Sequence, residues 1–517
     1  MGATNYSDIL KQNRKKFFLD SPIVNPDDEM APDFTTLSEK IELKVSINQI
    51  RNDCSYQIKI FYLINNEKKL LNKIIDCESN DQTAYLNTPL FIRYFFEKEQ
   101  HLIFEIKRID SNNSKNEMIS TIKTTLGCIM GSRKNTLEKK IFQSENELLI
   151  LKIEKLKKNE DAINIKFKIE PQKNISFKEI KYKMYFEIYS DSKILYRSEC
   201  INNEGKFLPI RIPVILFPND NIHIKLYKSN RHIRIDSTLK IPKSTNRIKK
   251  FKQRINGTEF HIISTIEKTK MYTFVDYIKA GVQIGLSVAI DFTGSNGPPN
   301  DINSLHYISK ARNQYERAIL SCGNIVGKYD YDQLFPCFGF GAKINNRPFQ
   351  LFNLNFNRDD PNIKHIQGII NSYHNAIKKI DLFGPTNFSP IIEEIIKMIE
   401  DENSDKKYHI LMILTDGEID DMDDTIDKLV KGSSKPLSVI IIGVGNANFK
   451  SMIKLDADEK PLINSEGEMA ARDLVQFVPF LEYESNNVRL ANQVLEEIPR
   501  QFVEYYEIKS LVTNNLA

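Results

Sequence analysis

The hydrophobic pattern of this chain changes near residue 270, and the change limits the folds open to it. Before that point, short segments such as Ile163–Ile169 and Ile222–Leu226 alternate apolar and polar residues. After it, continuous apolar segments at Leu286–Ile290, Tyr408–Leu414 and Leu437–Val444 are separated by stretches with helical spacing. Alternation indicates sheets with one buried face, whereas fully apolar strands between helices indicate a covered parallel sheet. The sequence therefore predicts a multidomain protein, with β-sandwich domains followed by an α/β doubly wound, Rossmann-like domain.

The length of 517 residues agrees with about three domains at roughly 150 residues each. Many short strands in two successive runs predict two sandwiches before the α/β domain. Convincing helices are expected only after residue 300, at about Ser304–Ile325, His365–Ile380, Ser389–Ile399 and Met422–Val430, with a further strand at Phe335–Phe340. The predicted division is an extended segment at 1–37, β-sandwiches at 38–148 and 149–265, the α/β domain at 270–507 and a tail at 508–517.

Composition excludes several classes of protein. With 41% hydrophobic and 27% charged residues, the chain is not a largely disordered polymer. No apolar run reaches the ~18 residues of a membrane span, and the polar, basic N-terminus does not resemble a secretory signal. The six cysteines are scattered without a C-x-x-C pair, which argues against zinc fingers and a disulfide scaffold. We therefore expect a reduced, cytoplasmic setting.

Charge divides the chain into two halves of opposite sign. Residues 271–517 carry 24 Lys+Arg and 34 Asp+Glu, a net of −10, whereas residues 1–270 carry the remaining 48 and 34, a net of +14. A basic half suits an anionic lipid surface or nucleic acid. The plainer interpretation is compositional drift in a chain rich in Ile, Lys and Asn.

Oxygen-bearing side chains follow the apolar strands of the second half. Asp291, Thr293 and Ser295 form a D-x-T-x-S motif after the first apolar strand; Thr386 precedes a helix, and Asp416 ends the next apolar strand. In doubly wound sheets, ligands bind beyond the carboxyl ends of the strands. Hard cations such as Mg²⁺ prefer oxygen ligands, so these residues predict a metal site. The D-x-T-x-S motif alone is also compatible with a turn that caps a helix.

These residues resemble the metal-ion-dependent adhesion site of von Willebrand factor A domains, in which D-x-T-x-S is followed by Thr and then Asp. The surrounding sequence resembles copines more specifically, over about residues 270–507. The segments that carry this resemblance are Ala289–Gly297, Ser304–Ile308, Leu334–Ala342, Gly384–Pro390, Arg472–Phe480 and Leu495–Pro499.

The resemblance implies two tandem C2 domains before a copine-type A domain. It also implies calcium-dependent binding of phospholipid, and recruitment of partner proteins through an A-domain site that holds Mg²⁺ (or Mn²⁺). The expected metal ligands are Asp291, Thr293, Ser295, Thr386 and Asp416, with a carboxylate of the partner protein completing the shell.

The C2-type regions depart from the pattern that calcium binding requires. Calcium-binding C2 loops supply about five aspartates, but the corresponding segments here read Cys54–Tyr56, Lys107–Asn113, Tyr182–Tyr185 and Lys228–His232. Several expected aspartates are replaced by basic residues. Ca²⁺ at the C2 domains is therefore uncertain, and we expect a reduced calcium response.

Two further features bear on membrane contact. Six basic residues lie between the second β-region and the A domain, and they either contact acidic lipid headgroups or form a solvated charge run. Nucleic acid is not expected, since no stacking motif accompanies them. Gly2 is a candidate for N-myristoylation, although Tyr6 stands where Ser or Thr is preferred. The six basic residues are Lys243, Arg247, Lys249, Lys250, Lys252 and Arg254.

Together these features predict a copine-like membrane adaptor that is not an enzyme. We expect it in the cytoplasm, bound peripherally to anionic phospholipid of the plasma membrane. One alternative is a soluble A-domain scaffold that never meets a membrane. Another is an enzyme that uses Asp291 or Asp416 as nucleophile or base, but no His or Lys lies beside either residue in sequence.

Overall fold

The computed structural model describes residues 39–50, 54–64, 67–71, 75–76, 78–80, 82–86, 88–110, 116–142, 146–155, 161–171, 184–190, 193–197, 207, 210–213, 221–228, 231–240, 246–255, 258–456 and 461–513. They form a β-rich N-terminal region and an α/β C-terminal region. The N-terminal region consists of a first β-unit (39–155) and a second β-unit (161–270), and residues 271–513 form the α/β domain.

The first β-unit contains a six-stranded and a five-stranded sheet, whose inner faces share one apolar core. The last strand of this unit pairs antiparallel with the first, from Ile41 opposite Lys155 to Asn48 opposite Leu148. The predicted boundary at 148/149 is therefore wrong, because residues 148–155 belong to the first unit. The strands are β1 (Glu39–Asn48), β2 (Cys54–Ile64), β3 (Glu67–Leu70), β4 (Ile75–Asp76), β5 (Glu78–Asn80), β6 (Thr83–Tyr85), β7 (Leu90–Tyr94), β8 (His101–Asp110), β9 (Asn116–Thr125), β10 (Thr136–Lys140) and β11 (Leu148–Lys155).

The second β-unit contains two four-stranded antiparallel sheets. The rings of Phe167 and Phe186, one from each sheet, lie with centroids 4.4 Å apart in its core. The final strand continues to Lys270, so this unit extends past the predicted limit of 265. Its strands are β12 (Asp161–Pro171), β13 (Met184–Ser190), β14 (Lys193–Arg197), β15 (Ile210–Pro213), β16 (Asn221–Lys228), β17 (Arg231–Lys240), β18 (Asn246–Ile255) and β19 (Thr258–Lys270).

The α/β domain has an eight-stranded sheet with a central parallel part, in the order β21-β20-β25-β26-β27. The four apolar segments that predicted strands all form strands of this sheet. Antiparallel strands β22, β23 and β24 pair with β21. The strands are β20 (Gln283–Asp291), β21 (Leu334–Ile344), β22 (Arg347–Asn353), β23 (Asn362–Lys364), β24 (Asp381–Leu382), β25 (Lys407–Thr415), β26 (Leu437–Gly443) and β27 (Val475–Pro479).

Two predictions about helices are wrong. Short helices occur before residue 300, and the helix expected from Ser304 begins at Gln314, because residues 304–306 instead bind the loop after β20. The last helix also runs into the predicted tail. The helices are α1 (Leu126–Gly131), α2 (Phe274–Lys279), α3 (Gln314–Val326), α4 (Ile366–Ile377), α5 (Ser389–Glu402), α6 (Met422–Gly432), α7 (Lys450–Leu455), α8 (Asn487–Leu495) and α9 (Ile498–Thr513).

The first β-unit packs on the α/β domain near the amino ends of the parallel strands. The Phe96 ring lies 5.1 Å from Phe274 and 5.0 Å from Tyr329, centroid to centroid. Lys155 forms an ion pair of 2.6 Å with Asp276, and Tyr94 shares a hydrogen bond with Tyr329. The carboxyl ends of the parallel strands, where the predicted site lies, are therefore at the opposite edge of the sheet from this contact.

No helix within the described ranges is both long enough and apolar enough to cross a membrane.

Candidate metal centre

The predicted site lies where the strand order of the parallel sheet reverses. Strand β20 comes first in the chain and lies between β21, the next parallel strand, and β25. The register pairs Ile290 with Leu414, so Asp291 and Asp416 follow two adjacent strands. A crevice beyond the carboxyl ends forms at such a reversal, since the connections on its two sides depart in opposite directions.

Asp291 is the centre of a hydrogen-bonded group of side chains. Its Oδ1 atom accepts hydrogen bonds from the Thr293 backbone N–H, at 2.8 Å, and from the Thr293 hydroxyl, at 2.6 Å. Its Oδ2 atom accepts one from the Thr415 hydroxyl, at 2.6 Å. The sequence did not single out Thr415, although its position directly before Asp416 on a neighbouring strand was a signal.

Asp416 joins the same group from the second strand. Its Oδ1 atom accepts a hydrogen bond from the Ser295 hydroxyl at 2.9 Å, and Ser295 Oγ lies 3.0 Å from Thr293 Oγ1. Thr293 Oγ1 is 3.5 Å from the same carboxylate oxygen of Asp416. Four of the five predicted residues therefore form one continuous cluster, which we call the oxygen cage together with Thr386.

Thr386 approaches the oxygen cage from the loop before α5. A Cβ atom built on Gly417 would lie 3.8 Å from Ser295 Oγ and 3.9 Å from Thr386 Oγ1, so both hydroxyls border the same small space. The Asp420 carboxylate holds this loop by accepting a hydrogen bond from the Thr386 backbone N–H at 2.7 Å.

The next acidic residue secures the start of α5. Asp421 accepts hydrogen bonds from the backbone N–H groups of Phe388, at 2.9 Å, and Ser389, at 2.8 Å. The sequence interpretation of Glu418, Asp420, Asp421, Asp423 and Asp424 as a solvated helix start is therefore wrong for Asp420 and Asp421. Both position the Thr386 loop.

The oxygen cage is buried except at one residue. Asp291 is fully buried, Thr293, Thr386 and Asp416 are between 4% and 6% exposed, and Ser295 is exposed. Burial raises the pKa of Asp291 to about 7, and the charge of Asp416 acts in the same direction against hydrogen bonds from Thr293 and Thr415. Burial also raises the pKa of Asp416, against the hydrogen bond from Ser295. Both carboxyl groups are thus held in a setting that disfavours their charged form.

A buried histidine supports the backbone of Asp291. His306 Nε2 lies 2.9 Å from the Asp291 carbonyl oxygen and Nδ1 lies 2.8 Å from Tyr373 Oη. Burial lowers the pKa of His306 to about 3, so the ring is neutral. Since a carbonyl can only accept, Nε2 carries the proton and Nδ1 accepts from Tyr373. His306 stood in a quoted sequence segment, but nothing in its spacing indicated this role.

The donors of the oxygen cage suit a divalent cation. Within the described ranges, neither Asp291 nor Asp416 has a basic side chain as an ion-pair partner. Two carboxylates would balance Mg²⁺ or Mn²⁺, and hydroxyl oxygens are ligands that such ions accept. No group of three or more His, Cys, Asp and Glu side chains that could hold a metal ion occurs in the described part of the chain. Such an ion would thus depend on hydroxyls, water or a partner for its remaining ligands.

The other predicted sites are described only in part. Gly2 and Lys243 lie outside the described residues, as do positions 182–183 and 229–230 of the calcium-loop segments. Arg247, Lys249, Lys250, Lys252 and Arg254 lie on β18, an edge strand that pairs antiparallel with β19. Their register places them opposite Ile266, Ser264, Ile263, His261 and Glu259.

Comparison with known families gives a match in the C-terminal region. Residues 304–514 match the copine family model. The match covers 211 of the 517 residues and begins after the D-x-T-x-S motif. It includes Thr386 and Asp416 and continues through α9.

Solved structures with partial similarity fall into two groups. One is manganese-loaded TRAP protein of Plasmodium vivax, at 15% identity and a TM-score of 0.26, covering 41% of this chain and 72% of that one. Proximal thread matrix protein 1 from the mussel byssus has 14% identity, a TM-score of 0.27 and coverages of 41% and 48%. In the other group, a calcium-bound pair of C2 domains from Extended-Synaptotagmin 2 has 8% identity, a TM-score of 0.18 and coverages of 46% and 98%.

Proposed function

We propose that this protein is a copine-like adaptor that binds phospholipid membranes and recruits partner proteins through a metal-ion-dependent adhesion site in its α/β domain. The observation that carries the proposal is the oxygen cage, in which two buried carboxylates and three hydroxyls converge without a basic side chain among their described ion-pair partners. The copine match over residues 304–514 agrees with this assignment.

Each residue of the oxygen cage has a role in the proposed site. Bound Mg²⁺ or Mn²⁺ would supply a positive charge to which a carboxylate of a partner protein can bind. Asp291 and Asp416 provide the two negative charges that hold the ion, and Thr293, Ser295 and Thr386 provide neutral oxygens. Because Ser295 is exposed while the other four are buried, a partner would approach from the Ser295 side.

Binding rather than catalysis suits this arrangement. Within the described residues, the Asp291 and Asp416 carboxylates accept hydrogen bonds from hydroxyls and backbone, and neither contacts a His or Lys side chain. General acid–base catalysis requires a second titratable group within hydrogen-bond reach of the reacting atoms. We propose that the protein is not an enzyme.

For the membrane, we propose electrostatic attachment through the basic first 270 residues, which carry a net charge of +14. Each basic residue near an anionic surface contributes about 1 kcal/mol, and screening by salt weakens it. The expected location is the cytoplasmic face of the plasma membrane, with a calcium response weaker than that of C2 domains with a full set of aspartates.

The adhesion site is tested by a pull-down from lysate with the full chain. Wild-type protein should recover partners in Mg²⁺ and lose them in a chelator, whereas Asp416→Ala should recover none of these in either buffer. A matched control is Asp423→Ala, which removes an acidic residue of α6 that is not part of the oxygen cage. If wild type and Asp416→Ala recover the same partners with and without chelator, the proposed site does not function.

Membrane attachment is tested separately by co-sedimentation with liposomes. Full-length protein should sediment with vesicles containing phosphatidylserine at low salt, less at high salt, and not with neutral phosphatidylcholine vesicles. Failure to bind phosphatidylserine at low salt would leave a soluble scaffold as the function.

A further inference from the structure

An exposed aromatic side chain lies beside the oxygen cage. Phe383 precedes the Gly384–Thr386 segment, and its side chain is 46% exposed. Its backbone N–H donates to the Phe292 carbonyl at 3.2 Å, and its carbonyl accepts from the Gly294 N–H at 2.8 Å. Phe383 and Thr293 form an isolated parallel bridge. Phe383 is therefore fixed between the two loops that carry Thr293, Ser295 and Thr386.

A lysine covers this ring. Lys343 Nζ lies 3.7 Å from the centroid of the Phe383 ring, within the range of a cation–π contact. Lys343 belongs to β21, where it pairs with Asp381 of β24. We call Phe383 and Lys343 together the Phe383 platform. It puts an apolar surface and a positive charge next to a site whose own side chains are hydroxyls and carboxylates.

The space around the platform is open. A Cβ atom built on Gly384 would have no atom within 4 Å, although the φ angle of +151° disfavours a side chain there. Gly384 links the platform to Pro385 and Thr386. A bound chain could thus pass over Gly384, from the platform to the oxygen cage, without displacing a side chain.

We infer that the Phe383 platform selects the partner at the proposed adhesion site. The partner is a protein segment whose metal-binding Asp or Glu is flanked by an aromatic or large aliphatic residue on Phe383 and by a second acidic residue near Lys343. This inference rests on the proposed function, because the metal-bound carboxylate provides the anchor. Charge complementarity supports an acidic segment, since the platform carries a positive charge and a metal ion would add a second.

The platform favours a peptide segment over a lipid surface. Phe383 and Lys343 lie at the carboxyl-end edge of the sheet, in the half of the chain whose net charge is −10. An anionic bilayer would be repelled by this half, whereas a short segment meets only the local positive charge. An exposed aromatic in a partly enclosed position is also typical of residues that dominate protein interfaces.

The test uses full-length protein in Mn²⁺ and an array of synthetic peptides with a fixed central Asp or Glu and every other position varied in turn. Wild type should prefer an aromatic or large aliphatic residue at one position and Asp or Glu at another. Phe383→Ala should weaken the best peptide about tenfold and abolish the apolar preference, while binding still requires Mn²⁺. Lys343→Gln should abolish only the acidic preference.

Matched controls separate the platform from general effects. Phe142→Ala removes an aromatic side chain that is 90% exposed on the first β-unit, and Lys397→Gln removes an exposed charge on α5. Neither should change peptide preference. Thermal melting in chelator checks that Phe383→Ala retains its fold, and a variant that melts early is replaced by Phe383→Leu, which keeps an apolar side chain but loses the ring.

The outcomes distinguish the two proposals. If wild type binds acidic peptides only with Mn²⁺ and Phe383→Ala has the same preferences, the platform inference is wrong and the adhesion site stands. If no acidic peptide binds in a Mn²⁺-dependent way, and Asp416→Ala behaves like wild type, both are wrong. If Phe383→Ala reduces binding to phosphatidylserine liposomes and leaves the peptides unaffected, the platform contacts membrane instead.

Discussion

Two groups of buried carboxylates in the α/β domain solve the same electrostatic problem in different ways. In the oxygen cage, Asp291 and Asp416 are hydrogen-bonded to hydroxyls and backbone, and no basic side chain is among their described ion-pair partners. In a second group, Asp473, Glu497 and Glu504 surround Arg500; we call these four residues the Arg500 cluster. The difference indicates which group is structural and which is left to bind something.

The Arg500 cluster is complete within the chain. Arg500 Nη2 lies 2.9 Å from Asp473 and 2.5 Å from Glu497, and Nη1 lies 3.5 Å from Glu504. Burial alone would lower the pKa of Arg500, but the charges of Glu504, Glu497 and Asp473 outweigh it and hold the pKa above its usual value. The cluster fixes α9 to the end of the sheet beside β27. An external cation has no role there.

The oxygen cage has the opposite property. Burial raises the pKa of both its carboxyl groups, the charge of Asp416 raises that of Asp291 further, and its opening at Ser295 leads to the surface. Burying charge without a counter-charge costs free energy, and such arrangements are concentrated at functional sites. The comparison therefore supports a cation from solution as the missing partner, and the following variants test it.

The largest expected effect is on the Arg500 cluster. Arg500→Met leaves three buried carboxylates without their cation and should lower the free energy of unfolding by about 3–5 kcal/mol. Urea denaturation with and without Mg²⁺ measures it, and the loss should be the same in both. The exposed Arg489→Met is the control. A loss below about 1 kcal/mol would mean that the cluster does not hold α9.

A third buried carboxylate has neither hydroxyls nor a cation around it. Glu97 is 2% exposed where the first β-unit meets the α/β domain, and its Oε1 atom has no hydrogen-bond partner in the described part of the chain. Burial raises its pKa to about 7, with a smaller opposing effect from Lys98. Its contribution to stability is therefore present below its ordinary pKa of 4.5 and lost as pH rises through about 7.

Glu97→Gln should accordingly stabilise the protein at pH 8 by up to about 3 kcal/mol, and change it little at pH 4.5. Denaturation at the two pH values measures the difference, with the exposed Glu138→Gln as control. Equal stability of wild type and Glu97→Gln at pH 8 would show that the carboxylate has a compensating partner there.

Metal should stabilise only proteins with an intact oxygen cage. Mg²⁺ at a hundred times its dissociation constant adds about 2.7 kcal/mol to the folded state, which raises the melting temperature by a few degrees. Melting curves in Mg²⁺ and in chelator should differ for wild type and Arg489→Met but coincide for Asp291→Ala. An equal shift in Asp291→Ala would place the stabilising ion elsewhere.

The smallest expected effect is that of removing a cage carboxylate without metal. Asp416→Asn removes one of two like charges that oppose each other, so in chelator its stability should stay within about 1 kcal/mol of wild type. Asp473→Asn, the equivalent change in the Arg500 cluster, should destabilise. If Asp416→Asn unfolds as easily as Asp473→Asn, the oxygen cage is a structural network like the other group.

The sequence predicted the parallel sheet and the cage residues because both depend on local pattern. Continuous apolar segments formed β20, β25 and β26, and the residues directly after them reached one edge of the sheet because parallel strands end together. The helix predicted from Ser304 failed for a non-local reason. The apolar spacing of Leu305, Ile308 and Ala311 resembles a helix, but Ser304 and His306 bind the backbone around Asn296 and Asp291 instead.

The supporting residues were also beyond reach of spacing alone. Asp420 and Asp421 looked like the start of their own helix, yet they hold the loop of Thr386 and the start of α5, which lie over thirty residues earlier in the chain. Glu497, Arg500 and Glu504 have helical spacing that indicates ion pairs, but nothing local placed Asp473 among them.

The most direct test of the central claim is calorimetric titration of Mn²⁺ into full-length wild type, Asp416→Ala and Asp473→Asn at constant pH. The account predicts one site per chain in wild type, the same site in folded Asp473→Asn, and no binding at that site in Asp416→Ala. Binding of equal strength in wild type and Asp416→Ala, or no binding in wild type, would contradict it.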